Sequence, residues 1–183
     1  MPFPLKISNV IISKKKMGDG EHINSPANIT MKYSTGSLKR IFVVRLEDGD
    51  VLHQCLEELA QKEQIKAAAV IALGGADKDS VLVVGPSRSR ANFPVKPQKA
   101  TLYDASEVVG TGTIFLDEEG KPVVHMHIAC GRGTETVTGC IRHGVKVWHI
   151  VEAIVFEIDG AEATRKLDKV LGFKLLEPEE KSS

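Results

Sequence analysis

The sequence has little of several features that would assign a protein to a class at once. Aromatic residues make up 5% of its 183 residues, and 24 Lys and Arg balance 24 Asp and Glu, for a formal net charge of +0. A neutral chain lacks the overall positive charge from which DNA-binding proteins draw most of their nonspecific affinity. Local clusters of basic residues would have to supply that charge instead.

Cysteines and long apolar runs are also scarce. Three cysteines do not make the disulfide framework of a small secreted protein, so each is interpreted as core, ligand or reactive thiol. No run approaches the roughly 18 to 20 apolar residues of a transmembrane helix, and residues 1–9 lack the pattern of a secretion signal. With 42% hydrophobic and 26% charged residues, the composition is typical of a soluble globular protein. We expect a cytoplasmic protein with no membrane partner.

The hydrophobic pattern predicts an α+β domain with a mostly antiparallel β-sheet and one or two packed helices. β-Branched and apolar runs predict strands over residues 40–46, 67–73, 81–84, 107–116, 122–130 and 146–158. Apolar residues at three- and four-residue steps predict a helix that ends near Gln64. Helix-forming residues predict a second helix over residues 161–171, with Gly172 as its stop.

Changes in composition divide the chain into three parts. Residues 1–36 are predicted to be an N-terminal arm with one short strand, and residues 37–160 to be the main domain. Residues 161–183 would add the C-terminal helix and a polar tail. The segment 85–99, with three prolines and the chain's densest basic residues, is predicted to be a surface loop. DNA contact by this loop is a minority interpretation, because the loop carries one aromatic residue and no known DNA-reading motif.

Two histidines stand in a strictly alternating segment, Val123-Val124-His125-Met126-His127-Ile128-Ala129. Side chains of a strand point to opposite faces in turn, so His125 and His127 share one face. Two imidazoles two residues apart on a strand can converge on one metal ion. We therefore favour a metal site over simple packing of these rings.

The third ligand has several candidates. Cys140 is the strongest, because it follows Gly139 in a polar stretch that we expect to return beside the two histidines. His143, at a turn before Gly144, is the reserve. Cys130 would fall on the opposite face of the strand. His149 is interpreted as a half-buried structural histidine.

A site of two histidines and one thiolate suits zinc, which accepts both nitrogen and sulfur. Three protein ligands leave a fourth position for water or a substrate, so hydrolysis, hydration or lyase chemistry on a small molecule becomes feasible. Glu152, Glu107 and Asp77 are candidate carboxylates without an assigned role. The Gly131-Arg132-Gly133-Thr134 turn could bind an anion, although an ordinary turn is the simpler interpretation.

A series of motifs resembles the "plants and prokaryotes conserved" (PPC) domain, also called domain of unknown function 296. The motifs, in order, are Arg45-Leu46, Gly49-Asp50, Leu73-Gly74-Gly75-Ala76, Gly120-Lys121-Pro122, His125-x-His127, Gly139, Gly144 and Glu152. The resemblance covers about residues 37–160.

The resemblance implies a compact domain on an antiparallel sheet that forms homotrimers, sometimes with a metal at clustered histidines. It also implies that the protein is a prokaryotic, stand-alone member of the family. Such members are often described as DNA-binding. Plant members touch DNA through an added Arg-Gly-Arg-Pro segment, which this sequence lacks. The resemblance places a third histidine where this sequence has Cys140, so the site would be kept with a different ligand or lost.

Overall fold

The computed structural model describes residues 31–88 and 93–179. Some parts of the sequence analysis lie outside these ranges. They are the short strand and the lysine run before residue 31, the basic residue Arg90, and the last residues of the polar tail. Within them the chain forms ten strands and one helix, which are β1 (Ser37–Glu47), α1 (Leu52–Lys62), β2 (Ala67–Ala76), β3 (Val81–Pro86), β4 (Pro97–Thr101), β5 (Ser106–Leu116), β6 (Pro122–Arg132), β7 (Glu135–Cys140), β8 (Val147–Asp159), β9 (Ala163–Asp168) and β10 (Phe173–Pro178).

Eight strands form one sheet in the order β1-β8-β2-β5-β6-β7-β3-β4, and β9 and β10 form a separate hairpin. Every pairing between these strands is antiparallel. The prediction of a mostly antiparallel sheet is therefore confirmed, with a single helix in the described residues. No helix there is long and apolar enough to cross a bilayer.

One face of the sheet, the inner face, carries the core. Leu52, Leu56 and Ala60 recur every four residues on one side of α1 and are buried. They join the same core cluster as Met126 and Ile128 of β6. A hydrogen bond from the Val124 N–H to Glu57 Oε1, 3.0 Å long, also ties β6 to α1. The alternate residues of β6 consequently point to the opposite, outer face.

The register places one straight row of side chains across this outer face. Successive cross-strand partners in the row are Val43, Ile154, Ile71, Thr111, His127 and Cys140. Partners directly opposite each other point to the same face of a sheet. Exposed apolar side chains of β1 and β2 therefore continue, strand by strand, into the histidines of β6.

The helix predicted over residues 161–171 is wrong. Residues 163–168 form β9, which pairs with β10, and Gly172 lies in the connecting turn with φ of +80° instead of ending a helix. Helix propensity is a weak preference, worth a few tenths of a kcal/mol per residue, and tertiary packing overrides it. Here the pairing with β10 and the burial of Arg165 favour the extended chain.

Asp117 anchors this hairpin to the main sheet. Its Oδ1 accepts the N–H groups of Glu119 and Lys121, and its Oδ2 accepts the Lys174 ammonium of β10 at 2.7 Å. Burial alone would raise the pKa of the Asp117 carboxyl, but the Lys174 and Lys121 hydrogen bonds lower it from 3.8 to about 2. A group with a depressed pKa stabilises the fold above its unfolded pKa, and that stabilisation is lost as the pH falls toward the folded pKa.

We expect Asp117→Asn to lower the free energy of unfolding at pH 7 by about 1 to 3 kcal/mol, because the buried site loses its charge-assisted hydrogen bond. The difference between variant and wild type should shrink as the pH falls from 4 to 2. Urea unfolding at both ends of this range measures it, with exposed Glu135→Gln as the control. An equal difference at pH 7 and pH 2 would contradict this role.

Candidate metal centre

The structure brings His125, His127 and Cys140 together on the outer face. Their ligand atoms all lie within 4.8 Å of one another, and in the described residues this is the one group of His, Cys, Asp or Glu side chains arranged to hold a metal ion. His125 and His127 share a face because β6 alternates, and Cys140 is the direct cross-strand partner of His127. Register and alternation together produce the cluster.

The spacing of the two imidazoles fits a tetrahedral ion. Their Nε2 atoms are 3.2 Å apart, with the rings edge to face. Zinc–nitrogen bonds at the tetrahedral angle would place two ligand nitrogens about 3.3 Å apart. The cysteine Sγ supplies the soft donor that zinc accepts beside nitrogen. The nitrogen spacing and the mixed nitrogen and sulfur donors are those that a tetrahedral metal site uses.

The surroundings favour the uncharged form of both rings. Burial lowers the pKa of His125, and the positive charges of Arg165 and Arg142 lower it further. Burial also lowers the pKa of His127, with added contributions from His125 and Arg142. Neutral imidazole is the form that binds a metal. The lowered pKa values therefore favour the metal-binding form of both rings.

Arg142 reaches back to the cysteine. Its Nε donates a hydrogen bond to Cys140 Sγ over 3.2 Å. A hydrogen bond to the sulfur fixes its direction, as outer hydrogen bonds do for many metal ligands. Cys140 is 3% exposed, whereas Arg142 is exposed, so the arginine covers the buried sulfur from the solvent side.

Two cavities adjoin the cluster. The apolar cavity, about 390 Å³, has valine, proline and phenylalanine side chains in its lining together with His127, Cys140, Arg142 and His143. The cationic cavity, about 260 Å³, is lined by His53, Glu57, Val123, Val124, His125, Arg142, Arg165 and Lys174. Both cavities are of a size for small molecules.

The reserve ligand and the other histidine lie outside the cluster. His143 is exposed and lines the apolar cavity without joining the three donors. The interpretation of His149 as half-buried is wrong: it is exposed, with φ of +59°, and its ring packs edge-on against Trp148. Its N–H donates to Asp48 Oδ1 at 2.7 Å, which holds this unusual backbone conformation.

The candidate carboxylates also lie elsewhere. Glu107, Glu152 and Asp77 are absent from the donor group. Glu152 is exposed and is the cross-strand partner of Arg45 and Leu73. Arg132, at the glycine turn considered for anion binding, is already paired with Asp104 and donates to the Ala105 carbonyl. This arginine is thus occupied by the protein itself.

Cys130 lies on the inner face, as the alternation of β6 predicts. It is 2% exposed, and burial raises the pKa of its thiol to about 11. A thiol with that pKa stays protonated at neutral pH and makes a poor ligand. The strand thus separates an inert core cysteine from the solvent-facing imidazoles.

Sequence reasoning missed the arginines of the site. Arg142 follows Cys140 by two residues, a spacing that could have suggested contact in an extended segment. Arg165 lies in the segment wrongly predicted to be helical, and its side chain is buried against β5, where it donates to Thr113 Oγ1 at 2.8 Å. Only the position of the β9–β10 hairpin reveals this contact.

Solved structures share this fold. A metal-containing protein from Archaeoglobus fulgidus matches with a TM-score of 0.69 and 23% identity, over 79% of this chain and 98% of that one. A plant- and prokaryote-conserved protein from Pyrococcus horikoshii matches with 0.68 and 21%, over 84% and 100%. A candidate DNA-binding protein from Ralstonia eutropha JMP134 matches with 0.56 and 25%, over 73% and 88%.

Among curated proteins, none matches this sequence. The sequence itself matches the Plants and Prokaryotes Conserved (PCC) domain over residues 33–159, more than half of the chain. This match agrees with the motifs that surround the two histidines and with the antiparallel sheet that carries them. The protein therefore belongs to the Plants and Prokaryotes Conserved domain family.

Proposed function

We propose that this protein binds one zinc ion per chain through His125, His127 and Cys140 and uses the site to bind or convert a small molecule. The convergence of the three donor atoms within 4.8 Å carries the proposal. Two uncharged imidazoles and a buried cysteine with an arginine donor on its sulfur are a ligand set for zinc.

Three protein ligands leave one position of a tetrahedral ion open. Zinc bound by these three ligands would act as a Lewis acid on the small molecule at the open position. The chain's own residues do the rest: the apolar cavity beside His127 and Cys140 can take the apolar part of a ligand and exclude water from it. The A. fulgidus relative, which is named as metal-containing, is consistent with this role.

Elemental analysis of protein purified without chelators tests the proposal. We expect close to one zinc per chain. Protein that is folded and contains no metal, even after dialysis against zinc, would overturn it.

We place the protein in the cytoplasm. Its three cysteines are all unpaired, which suits that reducing compartment.

We further propose that the chain assembles as a homotrimer through its outer face. The apolar side chains Val43, Ile71, Leu73 and Val109 are all exposed there, on neighbouring strands of one sheet. Exposed apolar patches of this kind mark surfaces that other chains cover. The metal-ligand row continues from this patch, so the site would lie near the contacts between subunits.

Cys140 can be tested by exchanging its donor atom. Since the PPC resemblance places histidine at this position, we expect Cys140→His to retain zinc and Cys140→Ala to weaken zinc affinity at least about tenfold. A competition titration with a chromogenic zinc chelator measures both. Equal affinity of Cys140→Ala and wild type would remove Cys140 from the ligand set.

DNA binding is the alternative function. It is favoured by the basic loop between β3 and β4 and by the relatives from R. eutropha and Bacteroides thetaiotaomicron, both named as candidate DNA-binding proteins. Arg88, Lys96 and Lys99 are exposed on or next to this loop. The balanced net charge argues against a strong backbone contact.

A gel-shift series at increasing salt separates the two functions. We expect no salt-sensitive binding to duplex DNA below micromolar concentration. Such binding, weakened by Arg88→Ala combined with Lys96→Ala, would favour the DNA-binding function instead.

A further inference from the structure

The cationic cavity contains a buried arginine that pairs with no carboxylate of the described residues. Arg165 is 4% exposed, and its guanidinium donates to Thr113 Oγ1 and lies over the Phe115 ring. Neither Arg165 nor Arg142 forms an ion pair with a carboxylate of the described residues. A buried charge without a partner is costly, so proteins normally pair it.

Two orphaned nitrogen atoms belong to this same cavity. The Nε of Arg165 and the Nδ1 of His53 are the buried side-chain nitrogens without a hydrogen-bond partner in the described residues. Both residues line the cavity, although they come from β9 and from α1. Buried polar atoms nearly always find partners in folded proteins. Two residues that line one cavity thus each keep an unsatisfied polar nitrogen, which favours a polar ligand beside them.

The charges around the cavity indicate the sign of that ligand. Arg142, Arg165 and Lys174 are cationic, and Glu57 is the one acidic residue in the lining. Glu57 already accepts the Val124 N–H, and the Lys174 ammonium is shared with Asp117 and Glu119. The two guanidiniums therefore supply the positive charge that remains unbalanced. Burial and the charge of Arg142 lower the pKa of Arg165.

The Cys140 sulfur does not balance these two charges. It lies near enough for its negative form to attract Arg165, and it accepts a hydrogen bond from Arg142. One thiolate offers a single negative charge to two guanidiniums. If it also ligates a divalent cation, that cation more than cancels it.

We propose that the cationic cavity binds the oxyanion group, a phosphate or a carboxylate, of a small molecule. Guanidinium groups bind such groups through paired, charge-assisted hydrogen bonds. A volume of about 260 Å³ accommodates the group and a few further atoms. The cavity shares His125 with the metal cluster, so a ligand anchored here would lie beside that cluster. The anion site itself rests on residues outside the proposed ligand set.

Isothermal titration with inorganic phosphate, and separately with acetate, tests the inference on the full chain at low ionic strength. The titrations are made on metal-free and on zinc-loaded protein. We expect saturable binding of at least one of the two anions in both forms, and the tighter of the two identifies the group. Folded wild-type protein that binds neither at millimolar concentration would overturn the inference.

Variants assign the binding to the cavity. Arg165→Met and Arg142→Met should each weaken anion binding at least about tenfold, because each removes one charged hydrogen-bond donor. Arg142 is exposed, so its variant should fold even if the buried Arg165 variant does not. Arg132→Met is the control, because Arg132 is an exposed arginine at the β6–β7 turn. This variant should bind the anion as the wild type does. Unchanged binding in Arg142→Met and in folded Arg165→Met would contradict the assignment.

Two further measurements distinguish the anion site from the zinc site and from a nucleic-acid surface. If the protein takes up no zinc but still binds one of the two anions, the anion site is supported and the proposed metal function is not. A short DNA duplex should not displace phosphate from the protein. Displacement would contradict a small-molecule site, since the phosphate would then be a substitute for nucleic-acid backbone.

Discussion

Replacing His125 and His127 together by alanine is expected to lower the zinc content from close to one ion per chain to none. Two of the three proposed donors are removed, and a lone cysteine cannot hold the ion against buffer and water. Both rings lie on the outer face and take no part in the core, so the variant should fold. Elemental analysis of chelator-free preparations measures the content, and circular dichroism verifies the fold.

A matched variant controls for the loss of histidine as such. His143→Ala combined with His149→Ala also removes two exposed histidines, neither of which belongs to the donor cluster. This variant should keep its zinc. A double variant of His125 and His127 that retains one zinc per chain would place the metal elsewhere.

Introducing charge into the outer apolar face is expected to separate the assembly into single chains. Val43→Glu combined with Ile71→Glu places two carboxylates on either side of Ile154, where each native side chain is exposed in the single chain. Their burial between subunits would cost several kcal/mol. The mass by light scattering should fall from three times 19.9 kDa to 19.9 kDa.

Val170→Glu is the matched control for this experiment. Val170 is also an exposed apolar residue, but it lies in the turn between β9 and β10, away from the outer-face row. Its variant should keep the wild-type mass. A wild-type chain that is monomeric, or a double variant that keeps the larger mass, would contradict assembly through this face.

Local alternation was enough to predict the two imidazoles. In β6 each side chain points away from its neighbours, and the apolar residues between the histidines belong to the core. The same rule placed Cys130 inside the protein. Such predictions succeed because strand geometry depends on the residue itself and those next to it.

The position of Cys140 depended on register, which alternation alone does not give. Arg132 pairs with Glu135 across the turn formed by Gly133 and Thr134, with Gly133 at φ of +61°. Counting outward from that two-residue turn puts Cys140 opposite His127. A loop one residue longer or shorter would have placed Cys140 opposite Met126 or Ile128 and so moved its sulfur to the other face. The sequence suggested that Cys140 returns beside the two histidines, but only the turn fixes the face of the sheet on which its sulfur lies.

The arginines of the cationic cavity could not be predicted, for a different reason. Arg165 enters the site from a hairpin whose residues favour a helix locally, and its pairing with β10 is decided by packing on the main sheet. Nothing in the local pattern of residues 161–171 indicates that packing. The contact between Arg165 and Thr113 joins positions 52 residues apart.

A crystal structure of protein purified without added metal, with anomalous data at the zinc edge, tests the central claim most directly. We predict one peak per chain, about 2.0 to 2.3 Å from Nε2 of His125, Nε2 of His127 and Sγ of Cys140. The absence of a peak among these three atoms, or a peak held by other residues, would contradict the proposed zinc site.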